Sequence, residues 1–425
     1  MRILTLSLNA WNDTLATGNT FSNFFSNKTE EDEFASIFCR SEAIDNSICS
    51  RYLRITERDI LSGLIHFSSA GNRIEKAKDM SAVVGEENPS LLSASNPRGD
   101  FLRHWRPASL LFLRELVWCL PNWRGGKLKS FLKGFKPDII YMHVHSNWYM
   151  HKLLWYCKKQ TGARVVVFSG DDVWSYKRKG VLRSTYHWIL RKYLRYTFSH
   201  ANLVCGGSPQ LCEEFEGLFG RKVVPLYKTC NHLVPPAKKA FNKPYKAVYC
   251  GNLLYGREAV LIQLAKQIRI INSKEVRLQL FIYSNSLLSD EGRIQLNDGM
   301  NVFYEGAKPY HEIEGILNEC DFSVFAESFS PKNIKETRLS FSTKIIDYMQ
   351  ADSAVLAVGP KSIASIDYLK RSNIAFIFDC PDSFAETVIP ILNDPDLINT
   401  SIARKYEYAL NYHRSPSLLK MMREL

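Results

Sequence analysis

The stretch Arg338-Leu-Ser-Phe-Ser342-Thr343-Lys344-Ile-Ile-Asp347-Tyr-Met, followed by the apolar run Ser353 to Gly359, carries the densest chemistry in the chain. A loop with Arg338 feeds the hydroxyls of Ser342 and Thr343 and the ammonium of Lys344 into a helix start. Unpaired backbone N–H groups and the helix dipole there favour an anion. Asp347 follows one turn later on the same face, where a carboxylate can accept from ribose or sugar hydroxyls. Such a set suits a phosphate; its bland counterpart is an ordinary N-cap on a buried helix.

A second phosphate candidate stands upstream, where the strand Lys246 to Cys250 runs into Gly251-Asn252-Leu-Leu-Tyr-Gly256-Arg257 and then a helix. Glycines let backbone approach a ligand closely, and Arg257 offers a rigid fork of donors suited to phosphate oxygens. In an open parallel sheet both loops fall at the carboxyl ends of strands, where ligands of such sheets bind.

The first half of the chain offers weaker signals. Asp171 and Asp172 follow the strand Val165 to Gly170 and read either as an acceptor-side base or hydroxyl ligand, or as a helix cap before Trp174. They are adjacent and lack the D-x-D spacing of a metal-binding pair. His143 and His145 close the strand Ile139 to Val144, so His145 is a candidate to orient or deprotonate an acceptor hydroxyl; a histidine at a strand end is otherwise a hydrogen-bonded structural residue. Gly18 and Asn19 begin the first helix and make a glycine turn.

The elements that must position these residues read as alternating strands and helices. In the second half, strand-like runs at Lys246 to Cys250, Val276 to Tyr283, Asn301 to Tyr304, Asp321 to Phe325, Ala354 to Val358 and Ile374 to Phe378 are separated by helical patterns such as Glu258 to Ile271. That alternation predicts a parallel sheet with helices on both faces. The first half repeats it with strands at Arg2 to Leu8, Asp138 to Val144, Arg164 to Ser169, Ala201 to Cys205 and Val223 to Leu226. His66 to Asp100 shows no period and reads as an excursion.

At 425 residues the chain exceeds one hydrophobic core, and the prolines and lysines of Leu233 to Pro244 mark the boundary. The expected organisation is α/β, with two doubly wound Rossmann-like domains facing each other across a cleft. A first domain spans 1–235, a second 236–400, and a C-terminal helix in 401–425 packs back on the first. The opening residues read as a buried strand, with no signal peptide and no apolar run long enough to span a bilayer. Ten scattered cysteines without metal-ligand spacing read as reduced core residues of a cytoplasmic protein, with no metal and no cofactor expected.

The net charge of +12 is uneven. From Val173 to His200, Lys177, Arg178, Lys179, Arg183, Arg191, Lys192 and Arg195 alternate with Tyr176, Tyr186, Trp188, Tyr193 and Tyr196, without an acid. From Phe101 to Lys136, eight cations are set among Trp105, Phe112, Trp118, Trp123, Phe131 and Phe135. Basic residues beside interfacial aromatics suit an anionic membrane surface. The alternatives are core aromatics under a solvated basic face, or nucleic acid, for which no motif is present and which is not expected.

Taken together, the motifs resemble the GT-B glycosyltransferases, and within them glycosyltransferase family 4. The resemblance rests on the loop Asn12 to Asn19, on Gly251-Asn252-Leu253 with Gly256-Arg257, on Tyr304-Glu-Gly306, on Asp321-Phe-Ser-Val-Phe, and on Ser342-Thr343-Lys344 with Asp347-Tyr348. It implies transfer of a sugar from a nucleotide-diphosphate donor on the second domain to a lipid-linked glycan acceptor on the first. The enzyme would be a retaining, metal-independent, hexosyltransferase-like one of surface polysaccharide or glycolipid biosynthesis, peripheral on the inner face of the cell membrane. Arg257 and Lys344 would stabilise the leaving diphosphate, and the loop at Gly18 and Asn19 would reach the donor.

The chain departs from the family's E-x7-E pair: Asp347 stands at the second place and Leu339 at the first, with Glu327 or Glu336 as substitutes if the loop Ser328 to Phe341 folds back. That departure keeps two other classes open, a non-catalytic GT-B partner protein and a nucleotide-sugar epimerase.

Overall fold

The computed structural model describes residues 1–14, 16–75, 108–175 and 180–425, in two compact units. Unit 1 comprises Met1–Gly207, Cys212–Leu226 and Pro416–Leu425; unit 2 comprises Ser208–Leu211 and Tyr227–Ser415.

Unit 1 is built on β1 (Arg2–Ser7), β2 (Glu33–Phe38), β3 (Arg51–Arg54), β4 (Asn72–Glu75), β5 (Ile139–His143), β6 (Arg164–Ser169), β7 (Leu203–Gly206) and β8 (Val224–Pro225). They order β4-β3-β2-β1-β5-β6-β7-β8, all parallel except β4 on β3. Its helices are α1 (Ala16–Phe24), α2 (Glu57–Ile65), α3 (Ala108–Val117), α4 (Gly126–Phe135), α5 (Trp148–Thr161), α6 (Val181–His200) and α7 (Pro209–Phe219), whose first three residues belong to unit 2. Phe21, Phe24 and Phe25 share one face of the α1 region, where Phe21 and Phe25 meet Trp11 and Tyr141 edge-on or tilted and Phe24 meets Phe168. In the same core lie Leu418, Leu419 and Met422 of the C-terminal helix α16 (Leu418–Arg423). Arg423 Nη2 donates to Asp32 Oδ2 at 2.5 Å, and the chain's N-terminal ammonium pairs with the same carboxylate.

Unit 2 is an all-parallel sheet of β9 (Tyr245–Cys250), β10 (Leu278–Tyr283), β11 (Val302–Gly306), β12 (Phe322–Ala326), β13 (Ala354–Val358) and β14 (Phe376–Phe378), ordered β11-β10-β9-β12-β13-β14. It is covered by α8 (Arg257–Ile271), α9 (Asp290–Gln295), α10 (Tyr310–Asn318), α11 (Pro331–Thr337), α12 (Lys344–Gln350), α13 (Ala364–Arg371), α14 (Phe384–Leu392) and α15 (Pro395–Tyr412). Strands buried on both faces lose the alternation of a half-exposed strand, and β12 and β13 are apolar or small throughout. The segment from residue 401 is divided, α15 lying in unit 2 and α16 in unit 1.

Three strands escaped the sequence reading. β2 is interrupted by Ala35 and Ser36, β3 carries arginine at both ends, and β4 is an antiparallel edge of four residues within the aperiodic stretch from His66 to Asp100. The remainder of that stretch, 76–100, lies outside the described residues. The loop expected from Ser328 to Phe341 contains a helix, α11, which starts on Pro331, where a missing N–H costs nothing.

One buried cation fixes the short helix that carries the candidate phosphate residues. Lys405 of α15, 1% exposed, donates through Nζ to the carbonyls of Tyr348, Ala351 and Ser353, each at 2.6 Å. Those carbonyls end α12 and lead into β13, where a cation also meets the negative end of the helix dipole. Lys405→Met leaves them buried without a donor, and the variant is expected to lose about 3 kcal/mol of stability, read from its denaturant midpoint. An unchanged midpoint would refute the clamp.

Candidate functional site

At the carboxyl end of β9 the chain turns through Gly251 at φ +136°, a conformation that L side chains avoid. A Cβ on Gly251 would collide with Nζ and Cε of Lys344, so the glycine is what lets the ammonium lie against the backbone. Lys344 opens α12, and its Nζ donates to Tyr249 Oη at 3.3 Å from a position 4.6 Å from the Tyr249 ring centroid. Burial, and then the neighbouring Arg257, pushes the ammonium down to about 8, while Glu327 and Asp347 oppose the shift.

Arg257 is the first residue of α8, after Gly256 at φ +76°. Its guanidinium is held on two sides: Nη1 donates to Asn252 Oδ1 at 3.0 Å and Nη2 to Glu327 Oε1 at 2.7 Å. Glu327 follows β12, only 3% exposed, and its Oε2 has no partner among the described residues. One end of unit 2 therefore gathers two cations and one carboxylate around Gly251, and an anion placed there would meet a net positive, largely desolvated site.

The other donor-side residues divide. Thr343 precedes α12, but its side chain makes no cap to it; the Ser342 N–H donates to Ser365 Oγ at 3.0 Å. The hydroxyl capping expected of this pair is thus replaced by backbone turns, with Ile345 and Ile346 N–H donating to the Ser342 and Thr343 carbonyls. Arg338 ends α11, its carbonyl accepting from Ala364 N–H at 2.7 Å. Asp347 borders a small groove with Ile313, Glu314 and Leu317 of α10. Tyr249 was not among the expected site residues, although its place two before Gly251 on a buried strand puts it at the same end.

In unit 1 the expected acceptor residues converge at the carboxyl ends of β5 and β6. The rings of His143 and His145 lie 4.9 Å apart. Burial pushes His143 down to about 4, with Asp171 opposing, and holds His145 well below its ordinary value, so both imidazoles are neutral at neutral pH. His145 Nε2 accepts a long hydrogen bond from Leu8 N–H, 3.4 Å, whereas the buried His143 Nδ1 has no partner among the described residues. Asp172 Oδ1 accepts from Trp174 and Ser175 N–H at 3.0 and 2.8 Å, so this carboxylate organises a turn. Gly18 sits in the first turn of α1, where a Cβ would collide with the Asn12 backbone; Asn19 follows it. Among the described residues no group of His, Cys, Asp and Glu is arranged to hold a metal ion.

The basic zones differ from the interfacial reading. Trp118, Trp123, Phe131, Phe135 and Tyr186 are core residues, and only Trp188 and Tyr196 of the two sets are well exposed among the described residues. Arg103, Trp105, Arg106 and 176–179 lie outside the described residues. All ten cysteines are free, eight buried and two exposed.

The sequence model described as Glycosyltransferase Family 4 matches residues 88–227. No curated protein sequence matches the chain. Among solved structures, sucrose-phosphate synthase from Thermosynechococcus elongatus is similar over 100% of this chain and 97% of that one, at 12% identity and a TM-score of 0.59. Anabaena Alr3699/HepE, solved in complex with UDP and glucose, is similar over both full chains at 11% identity and a TM-score of 0.60. The lipopolysaccharide outer core galactosyltransferase WaaB is similar over both full chains at 15% identity and a TM-score of 0.51. With its two parallel-sheet units and these structural likenesses the chain has the GT-B fold, and residues 88–227 match glycosyltransferase family 4.

Proposed function

We propose that the chain moves a sugar from a nucleotide-diphosphate sugar held by unit 2 to a lipid-linked glycan held by unit 1, in surface polysaccharide or glycolipid assembly on the cytoplasmic side of a membrane. The observation that carries the reading is the convergence of Arg257 and Lys344 on Gly251 at the carboxyl ends of β9 and β12. Cleaving a sugar–diphosphate bond builds negative charge on the leaving phosphate. A guanidinium and an ammonium fixed in a desolvated site stabilise that charge more in the transition state than in the ground state. With those cations supplied by the chain, the departure needs no metal; the retaining outcome follows from the resemblance alone.

Support for the donor class comes from relatives of the same fold, one solved with UDP and glucose and another a galactosyltransferase of the lipopolysaccharide outer core. The partner-protein reading is favoured by one observation: Leu339 and Asp347 stand where the family places two glutamates. Donor hydrolysis without acceptor would count against that reading; tight donor binding with no turnover would support it.

Calorimetric titration with UDP, GDP, ADP and CMP tests the donor site. One diphosphate is expected to bind selectively, and Lys344→Ala and Arg257→Ala are each expected to weaken it by about 2 kcal/mol, roughly thirtyfold, through a lost charge-assisted contact. Wild-type affinity in both variants would remove the assignment.

The lowered Lys344 ammonium sets a pH dependence. Between about 8 and its ordinary 10.5 the folded chain has lost a proton that the unfolded chain keeps, so the Lys344 contribution to stability rises with pH across that window. A bound diphosphate favours the charged ammonium. Binding is therefore expected to take up a proton above about pH 8 and to weaken as pH rises, and Lys344→Arg is expected to abolish both effects. Proton-inventory calorimetry in buffers of different ionisation enthalpy reads this directly; pH-independent binding by the wild type would contradict it.

Glu327→Gln retains a hydrogen-bond acceptor for Arg257 and removes a negative charge beside the phosphate site. It is expected to tighten nucleotide-diphosphate binding severalfold and to move its pH midpoint downward, since Glu327 helps keep Lys344 charged. Weaker binding with an unmoved midpoint would show that the carboxylate serves mainly to hold Arg257 in place.

A further inference from the structure

One surface feature of unit 1 that the site does not explain is aliphatic rather than aromatic. On α2 and the turn after it, Leu61, Leu64, Ile65 and Phe67 point to solvent, Ile65 at 74% and Phe67 at 100% exposure. Phe67 is held there in the left-handed region, at φ +47°, which a bulky residue rarely adopts. On α3, which packs against α2 on one side and α6 on another, Leu110, Leu113 and Leu116 are all more than half exposed. Scattered exposed leucines need no explanation, but seven large apolar side chains on two adjoining helices mark an interaction face.

Charge indicates what covers it. The acids of these two helices are engaged elsewhere: Glu57 accepts from Trp118 Nε1, Asp59 closes the capping box of α2 with Thr56, and Glu115 is 1% exposed. Exposed beside the leucines are Arg58 on α2 and Arg124 and Lys127 on the stretch that follows α3, where no acid occurs between Glu115 and Asp138. Among the described residues of α2, α3 and the stretch from α3 to Lys136, the well exposed charges are cations, and an apolar centre with such neighbours complements an anionic lipid surface.

The position of α3 connects this face to the acceptor end of the sheet. Trp118, directly after α3, meets Glu57 at the start of α2, and Glu115 accepts from the Trp148 and Tyr149 N–H groups at the start of α5. Both helix starts follow strands β3 and β5 and so lie at their carboxyl ends, the end that carries His143 and His145. We infer that α2 and α3 form a membrane-docking wedge that inserts its aliphatic side chains into an anionic lipid surface and brings the acceptor end of unit 1 to that surface. The inference rests on the lipid-linked acceptor reading for its purpose, not for its geometry.

The test is co-sedimentation of the full chain with phosphatidylcholine vesicles, with and without phosphatidylglycerol, at low and high salt. Wild type is expected to prefer the anionic vesicles and to keep part of its binding in high salt, because inserted aliphatic groups are not screened. Ile65→Asp and Leu113→Asp are each expected to bind about tenfold more weakly, the loss for one apolar side chain that no longer leaves water. Circular dichroism and nucleotide-diphosphate binding at unit 2 check that the variants are folded, and Ile65→Ser and Leu113→Ser replace any that are not.

Wild type that ignores anionic vesicles, or variants that bind as wild type does, would overturn the wedge. So would a lipid-free dimer that Leu113→Asp separates, which would assign the face to a second copy of the chain. Vesicle binding as expected, together with transfer to a water-soluble glycan but none to a lipid-linked one, would leave the wedge standing and remove the acceptor reading.

Discussion

Two cations brought together where water is scarce repel each other, and the Gly251 end of unit 2 is arranged around that cost. Arg257 and Lys344 lie together beside the Gly251 turn; burial and then Arg257 lower the tendency of Lys344 to stay charged, while Glu327 and neighbouring tyrosines hold Arg257 above its ordinary value despite burial. Glu327 offsets the repulsion without cancelling it, pairing with the guanidinium through one oxygen and leaving the site with a net positive charge. The ammonium, which donates to Tyr249 Oη, is the softer of the two and gives way first, to about 8. An anion placed between the two cations would offset their repulsion and favour the charged ammonium.

Holding that strain requires rigid supports, and the fold supplies them at strand ends. Arg257 opens a fifteen-residue helix whose buried face packs on the sheet through Val260, Leu261, Leu264 and Ile268. Lys344 opens a helix of only seven residues, too short to be stable by itself. Its far end is fastened by Lys405, so the cation at one end of α12 is positioned by a buried lysine amino group at the other. Glu327 is fixed by β12, which pairs with both β9 and β13. The three charges therefore come from three separate elements, and none can move toward solvent without disturbing the sheet.

Much of this was legible in the sequence, for a definable reason. Strands buried on both faces are continuous apolar runs, so β9, β12 and β13 announce themselves, and the glycines and cations just after them mark the site. What was not legible depended on side-chain direction. Ser342 and Thr343 look like cap residues, yet Thr343 is helical in its backbone and its hydroxyl makes no cap. The aromatics between Trp118 and Phe135 look interfacial beside so many lysines, but Leu128, Phe131, Leu132 and Phe135 recur at helical spacing and form the buried stripe of α4, with Lys127, Lys129 and Lys133 on its outer face. The period was present; the charge drew attention from it. The pairing of Glu327 with Arg257, seventy residues apart, has no local signature at all.

The exposure of the α3 leucines is itself enforced by a buried charge. Glu115 sits on the inner face of the same helix, and burial raises its carboxyl while the Trp148 N–H and the Tyr186 hydroxyl, both donating to it, act in the opposite sense. For α3 to roll and hide Leu113 and Leu116, those bonds would have to break and a carboxylate would be left without partners, at about 1–3 kcal/mol for each buried group abandoned. Arg114, donating to Asn147 Oδ1 at 2.5 Å and lying over the Tyr149 ring, adds a second restraint on the neighbouring position. Covering two leucines would recover a comparable free energy at best. The helix is therefore fixed with its apolar side outward because Glu115 and Arg114 are held on its inner side, and the surface that results is a property of the core beneath it.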